Sequence, residues 1–224
     1  MWRRPRDQGP RTWPLRLEGT TPHGERIVLR ALRATDEASY IALRRANAEW
    51  LAPWDATAPH PSVRPRRFAD LVAAQEVEAR AGRALPMAVE HAGRLVGQVN
   101  VSNIARGSFW SCTVGYWVSR AMAGRGVIPT AVALVGDHCF ETLGLHRIEI
   151  NIRPENLASL AIVRKLGFRD EGMRERYLHI DGEWRDHRSF AVTTEDLAGQ
   201  SLMERCALSS QESLWRHTDP SPSG

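Results

Sequence analysis

Cysteine is scarce in this 224-residue sequence, which contains only Cys112, Cys139 and Cys206. Their odd number and wide spacing argue against a disulfide framework and favour a reducing compartment. No pair has the spacing of metal ligands, so we expect no bound metal. No stretch approaches the roughly 20 apolar residues that cross a bilayer, and the arginine-rich start lacks the apolar segment of a secretory signal. The default expectation is a cytoplasmic protein.

Composition places the chain among ordinary globular proteins. Hydrophobic residues make up 42% and charged residues 25%, both within the usual range. The length suits one substantial α/β domain, or at most two small ones. The net charge of +4, supplied almost entirely by arginine, favours acidic partners such as RNA or phosphate groups without selecting one.

Local patterns divide the chain into three parts. Residues 1–24 mix Arg, Pro, Gly and Thr and predict a flexible basic extension that could contact RNA or simply be solvated. Residues 25–198 carry the periodic patterns of one domain, and residues 199–224 are Ser-rich and predict a mobile tail. Predicted strands cover 26–30, 85–90, 94–103, 109–118, 146–152, 168–180 and 184–193; predicted helices cover 35–46, 66–80, 129–143 and about 154–166, with a last short helix capped by Thr194. This order predicts a single mixed α/β sheet with helices on both faces.

Residues 114–143 read as a strand, a glycine-containing loop and a helix that begins near Pro129 and Thr130. Two glycines, Gly124 and Gly126, let several backbone N–H groups converge beside the positive end of the helix, which indicates a site for a diphosphate. A dinucleotide fingerprint would need glycine at position 129, and a nucleotide P-loop would need Gly-Lys-Ser/Thr, which is missing. A tight turn without a ligand stays open as an alternative.

A family resemblance covers residues 26–197. Gly115-Tyr116-Trp117, followed by Gly124-Arg125-Gly126, resembles motif A of the GNAT superfamily of N-acetyltransferases, although Ala123 and Ile128 differ from the usual residues. Three further blocks, residues 50–54, 102–109 and 181–187, resemble the RimJ-type ribosomal-protein alanine N-acetyltransferases. The resemblance implies a GNAT fold, a splayed and mainly antiparallel sheet of about seven strands flanked by helices.

The resemblance also implies acetyl-CoA as the co-substrate. Its pantetheine arm is expected along the backbone of Tyr116, Trp117 and Val118, with Asn156 as a further contact. Ser159 is expected near the sulfur, where its hydroxyl would stabilise the leaving thiolate; otherwise Ser159 and Asn156 are ordinary residues of a helix start. The diphosphate is expected on the N–H groups of Gly124, Arg125, Gly126, Val127, Ile128 and Thr130, with Pro129 in the same turn.

The residues that handle the acceptor are less well defined by the sequence. Glu149 is the candidate base, because the position that matches the family's glutamate is Asn151; a surface or ion-paired role is the competing interpretation. Asp55, Glu175 and Asp186 are carboxylates that could reach the acceptor, in no particular order. Trp50 and Trp54, with Asp55, would line the mouth of the acceptor site, or the tryptophans would plug the core.

These features favour an acetyl-CoA-dependent transferase that acetylates a protein N-terminal α-amine, of alanine or serine, such as that of a ribosomal protein. The amine attacks the thioester directly. An enzyme that acetylates a small amine, such as an aminoglycoside or polyamine, would share the same loop. A ribosome-assembly or RNA-binding factor that keeps the fold without catalysis is the third hypothesis.

Overall fold

Eight strands and seven α-helices make up the described part of the chain, residues 13–60 and 67–215 of a computed structural model. A π-helical turn, His138–Thr142, extends the fourth helix. The strands are β1 (Arg16–Thr20), β2 (Arg26–Ala31), β3 (Leu85–His91), β4 (Arg94–Ala105), β5 (Ser111–Val118), β6 (Arg147–Ile152), β7 (Arg169–Ile180) and β8 (Glu183–Thr193). The helices are α1 (Glu37–Ala46), α2 (Ala48–Leu51), α3 (Phe68–Arg80), α4 (Val127–Asp137), α5 (Leu157–Lys165), α6 (Thr194–Leu197) and α7 (Leu202–Trp215).

All eight strands form one sheet in the order β1-β2-β3-β4-β5-β6-β8-β7. Every neighbouring pair is antiparallel except β5 and β6, which are parallel. A parallel pair needs a crossover connection, and α4 supplies it. The predicted mixed sheet with helices on both faces is therefore confirmed.

Two apolar layers cover the two faces of this sheet. The larger layer packs α4, α5 and α7 against side chains such as Val114, Ile148 and Ile150. The smaller layer packs α1 and α3 around Phe68 and Leu95. On β6 the isoleucines face the larger layer, while Arg147, Glu149 and Asn151 face the other way, as strand alternation requires.

The N-terminal boundary of the fold differs from the prediction. Residues 16–20, expected to be part of a flexible extension over 1–24, form β1, which pairs with β2 from Arg16↔Arg30 to Thr20↔Arg26. The sheet therefore has eight strands and not about seven. This strand gives little pattern, since Leu17 is its only large apolar residue and Gly19 sits where the side chain of Leu134 packs against the strand. Residues 1–12 lie outside the described part of the chain.

The C-terminal boundary also differs. The predicted mobile tail over 199–224 is wrong for α7, which packs against α4 through the buried residues Leu202 and Cys206. Asp137 of α4 caps α7, accepting hydrogen bonds from the N–H groups of Leu202 (2.7 Å) and Met203 (3.1 Å). Burial raises the pKa of the Asp137 carboxyl. Residues 216–224 lie outside the described part.

All of the predicted helix starts are shifted, by one to three residues; α1 begins at Glu37 and α5 at Leu157. Helix α4 begins at Val127 and not near Pro129, which becomes its third residue and still needs no partner for the N–H it lacks. Thr193, rather than Thr194, caps α6 through its side chain. Residue 66, where the second helix was predicted to begin, is outside the described residues, and that helix starts at Phe68. None of the helices in the described ranges has both the length and the hydropathy that a membrane crossing requires.

Candidate active site

The sheet opens between β5 and β6. Their parallel pairing is limited to three residues on each strand, Ser111↔Arg147 through Thr113↔Glu149. Beyond that point β5 continues to Val118 beside β4, while β6 continues to Ile152 beside β8. Residues 114–118 and 150–152 therefore face each other across a gap in the sheet, where backbone groups can pair with a ligand.

The loop that follows β5 carries a row of free backbone donors. Gly124 (φ 77°) and Gly126 (φ 74°) are in the left-handed region, which glycine adopts without steric cost. The N–H groups of residues 124–128 have no hydrogen-bond acceptor among the described residues. They end at the N-terminus of α4, where the helix dipole adds positive potential. The geometry fits a diphosphate.

Two predicted members of this loop have other partners. The Thr130 N–H donates to the Gly126 carbonyl (3.2 Å), as does the Thr130 hydroxyl (2.8 Å), so the predicted contact from this N–H is withdrawn. The Arg125 guanidinium pairs with Glu25 in the turn between β1 and β2. The Arg125 side chain is thus held toward this turn, while its main chain belongs to the row of free N–H groups.

Helix α5 begins beside the same gap. The Asn156 side chain caps it by accepting a hydrogen bond from the Ser159 N–H (3.0 Å). The Ser159 hydroxyl interacts with that of Tyr116 on β5, although the Tyr116 hydroxyl has no partner at hydrogen-bond distance among the described residues. Burial raises the pKa of Tyr116 to about 12, and the interaction with Ser159 offsets this only in part. The two hydroxyls are therefore neutral neighbours without a direct hydrogen bond.

Residues 50–57 cross over the wide end of the gap. The Trp50 indole N–H donates to the Val118 carbonyl (3.1 Å), which ties the crossing to β5. On the opposite side, Arg153 donates to the Pro53 carbonyl (2.8 Å) and its guanidinium lies over the Trp54 ring (5.6 Å). The Thr57 N–H then donates to the His179 carbonyl (2.8 Å) on β7. Trp50 and Trp54 therefore lie at the wide end of the gap and in neither apolar layer, and their contact with an acceptor stays a prediction.

Two of the predicted acceptor-site carboxylates, Asp55 and Glu149, are closely paired with arginines. Asp55 pairs with Arg44. Glu149 accepts from Arg147 (2.9 Å) and from Arg174 (3.0 Å), and its side chain is only 13% exposed. This placement favours the ion-paired interpretation of Glu149 over that of a base. Glu175 lies near Arg176 (3.8 Å), and Asp186 accepts from the backbone N–H of the same residue (2.7 Å).

A polar row on β4 forms part of the site and was not identified from the sequence. Gln98, 3% exposed, accepts hydrogen bonds from the Trp117 indole N–H (3.1 Å) and from the Tyr40 hydroxyl (3.4 Å). The Asn100 Oδ1 atom is buried and has no partner among the described residues. The signal was available, because Gln98 and Asn100 alternate with buried valines at 99 and 101.

His187 lies on the far side of the gap, within β8. It is 3% exposed, and its ring packs edge-on against Tyr177 at 5.5 Å between centroids. Its Nδ1 lies 3.0 Å from the Arg185 carbonyl, which only accepts, so Nδ1 carries the proton. Burial lowers the pKa of His187, which keeps the ring neutral near pH 7. Beside it, the Ser189 hydroxyl donates to Asn151 Oδ1 (2.6 Å).

The architecture and this site correspond to one known family. The sequence profile of the Acetyltransferase (GNAT) domain matches residues 26–169, more than half of the chain. The chain therefore belongs to the GNAT acetyltransferase family.

Three similar proteins illustrate how this chain resembles members of that family. A solved structure, Mycobacterium smegmatis RimJ in complex with CoA-disulfide, is 35% identical, with a TM-score of 0.81 and coverage of 88% of this chain and 96% of that one. The Escherichia coli [ribosomal protein uS5]-alanine N-acetyltransferase is 39% identical over 102 residues, 46% of this chain and 53% of the relative. The probable N-acetyltransferase YjcK of Bacillus subtilis is 39% identical over 103 residues, 46% of this chain and 57% of the relative. The chain spans about half the length of these two curated relatives.

Proposed function

We propose that the chain is an acetyl-CoA-dependent N-acetyltransferase that acetylates the N-terminal α-amine of a protein. The observation that carries the proposal is the continuity of the gap between β5 and β6 with the free N–H groups of residues 124–128. A donor with an extended amide-containing arm and a diphosphate matches both parts at once. The CoA in the Mycobacterium smegmatis RimJ structure supports the same donor class.

The donor is held mainly by backbone groups in this proposal. The diphosphate lies on the N–H groups of residues 124–128, with Pro129 in the same helical turn. The pantetheine arm lies along residues 116–118, of which Val118 already accepts from Trp50, and reaches Asn156. Because these contacts are to backbone, Ala123 in place of a longer polar residue removes no N–H donor.

The reaction requires few catalytic groups from the protein. The amine nitrogen forms a bond to the acetyl carbonyl carbon, the carbon–sulfur bond breaks, the nitrogen loses its proton to solvent water and the sulfur leaves as a thiolate. An α-amine has a pKa of about 8, so part of it is neutral at pH 7 and no strong base is needed. We assign the stabilisation of the thiolate to the Ser159 hydroxyl, which can donate a hydrogen bond. Glu149, held by two arginines, receives no proton-transfer role.

A protein N-terminus suits the site better than a multiply charged small amine. Asp55 and Glu149, the carboxylates that would attract a polyamine or an aminoglycoside, are both neutralised by arginines. The name of the Escherichia coli relative favours an alanine N-terminus of a ribosomal protein, and we include serine, whose side chain is similarly small. Location in the cytoplasm, and contact with RNA through the arginines before residue 13, belong to the same proposal.

A thiol-release assay with acetyl-CoA tests this function. The panel contains matched peptides that begin with alanine or serine, the same peptides with a blocked α-amine, spermidine and an aminoglycoside. The expected result is turnover of the free peptides alone, abolished by blocking. Turnover of the small amines without the peptides would instead identify an enzyme that acetylates small amines. If calorimetry detected no binding of CoA, the proposed donor site itself would be refuted.

A further inference from the structure

An open space lies over Gly115 in the middle of β5. The residue is exposed, and a Cβ atom built on it would have no heavy atom within 4 Å apart from its chain neighbours. Its backbone is not in the left-handed region, so the main chain does not require glycine here. The side chains of Val114 and Tyr116 pack into the larger apolar layer. By alternation, the space over Gly115 is on the other face, the one covered by α1.

This space borders the gap at its narrow end. Thr113 is the last residue of β5 that pairs with β6, so Gly115 is in the first part of β5 that lies along the gap. A donor in the gap has α4 and the larger layer on one face. The amine must then approach the thioester from the opposite face, past Gly115.

One neighbour of the space is large and fixed. Trp117, two residues along the same face, is held by its hydrogen bond to Gln98, by the Arg44 guanidinium over its ring (4.9 Å) and by the edge of Tyr40 (6.1 Å). These three groups hold Trp117 in place. The space over Gly115 therefore has a fixed wall on the side of Trp117.

Asn100 adds a polar group to the same place. It is the cross-strand partner of Gly115, so its side chain lies beside the space. Its Oδ1 atom is buried without a hydrogen-bond partner among the described residues. A buried acceptor without a donor is costly, and the N–H of a bound ligand would relieve that cost.

We propose that the space over Gly115 is the specificity pocket for the first side chain of the acceptor protein. It admits a small side chain, such as the methyl of alanine or the hydroxymethyl of serine, and excludes branched and aromatic ones. Asn100 accepts a hydrogen bond from an N–H group of the acceptor's first two residues. This inference rests on the proposed protein N-terminal acetylation.

The test adds a methyl group to the enzyme and removes one from the substrate. Wild type and Gly115→Ala are compared on four peptides that differ only in their first residue, which is glycine, alanine, serine or leucine. Since one misplaced methylene changes kcat/KM by about 10- to 200-fold, Gly115→Ala should lose at least about tenfold on the alanine peptide. The glycine peptide should change by less than about threefold, because its missing methyl leaves room for the new one.

Two controls keep the comparison interpretable. Calorimetric binding of CoA and the thermal midpoint should match wild type in Gly115→Ala, since the added Cβ meets no atom. Asn100→Ala is the second variant, expected to lower kcat/KM by about tenfold for glycine and alanine peptides alike, because it removes a hydrogen bond and no steric limit. Against this equal loss, a fall in kcat/KM of Gly115→Ala that is confined to the alanine peptide would be due to the size of the pocket.

If Gly115→Ala lost kcat/KM equally on the glycine and alanine peptides, or on neither, the proposed pocket would be refuted. Efficient acetylation of the leucine peptide by the wild type would overturn it as well. Failure of the wild type to acetylate any peptide, with CoA still bound, would instead refute the proposed function before any variant is made. The two failures are therefore distinguishable.

Discussion

The proposed binding of a diphosphate by the free N–H groups of residues 124–128 can be tested by substituting two glycines, one inside the site and one outside it. Gly124 in the loop and Gly93 in the turn between β3 and β4 have nearly the same backbone, with φ of 77° and 73°. A Cβ built on either has no heavy atom within 4 Å apart from its chain neighbours. Alanine at either position therefore introduces the same left-handed strain and no clash. Only one of the two positions is in the proposed diphosphate site.

The sizes of both effects follow from this geometry. An L-residue in the left-handed region costs about 1 kcal/mol relative to glycine, which lowers the thermal midpoint by about 2–4 °C for a chain of this size. Both variants should show that loss. In Gly124→Ala, relaxation of the strained loop would also turn at least one N–H away from the diphosphate. A hydrogen bond to a charged group contributes about 1.5–3 kcal/mol, so the Kd for CoA should rise by about 10- to 100-fold.

Calorimetric titration with CoA and thermal unfolding, on the same preparations, make the measurement. The reasoning predicts equal shifts in thermal midpoint for Gly124→Ala and Gly93→Ala, and weaker CoA binding in Gly124→Ala alone. Wild-type affinity in Gly124→Ala, with the stability loss present, would show that the diphosphate does not use these donors. Weaker binding in both variants would point to a general effect of destabilisation.

Three further predictions concern the chemistry and the fold. Ser159→Ala should lower kcat by about 10- to 100-fold, the loss of one hydrogen bond to a charged group, with CoA affinity unchanged; an unaltered kcat would remove Ser159 from the reaction. The kcat/KM for a peptide should rise through about pH 8 as its α-amine becomes neutral and then level off once the amine is fully deprotonated; Tyr116 beside Ser159, with a pKa raised to about 12, stays protonated over this range, so a fall below pH 10 would contradict this. Leu202→Ala, at a fully buried site, should reduce the free energy of unfolding by about 2–5 kcal/mol, whereas Leu208→Ala, 49% exposed on the same helix, should change it by less than about 0.5 kcal/mol. Equal losses in denaturant unfolding would show that α7 is not docked.

Turns, loops and helix caps that depend on a few adjacent residues could be predicted from the sequence. The turn Asp181-Gly182 between β7 and β8 and the glycine loop before α4 each depend on a few adjacent residues, and they appear where expected. The Asn156 cap is of the same kind. Local backbone preference, which the residues themselves carry, decides these elements.

Features that depend on distant partners could not be predicted. Helix α7 is capped by Asp137, a residue of another helix 65 positions away. Among residues 202–209, whose side chains the structure describes, only Leu202 and Cys206 are fully buried. The sequence of α4 held an indirect sign of this helix. Its residues are apolar on nearly every side, so α4 must pack against the sheet on one side and against another element on the opposite side. Likewise, no spacing rule pairs Glu149 with Arg174, because the fold alone brings them together.

The contacts of α4 have a consequence for the order in which the protein is made. Thr130 meets Cys206 across 76 positions of sequence, so during synthesis the glycine loop emerges from the ribosome well before the helix that covers it. Until Leu202 docks, the outer side of α4 exposes apolar surface to water, a state prone to association with other chains. Pairings this distant in sequence also form slowly. The cover on the outer side of α4 is thus one of the last parts of the protein to form, and a chain interrupted before residue 202 would lack it even with every loop residue present.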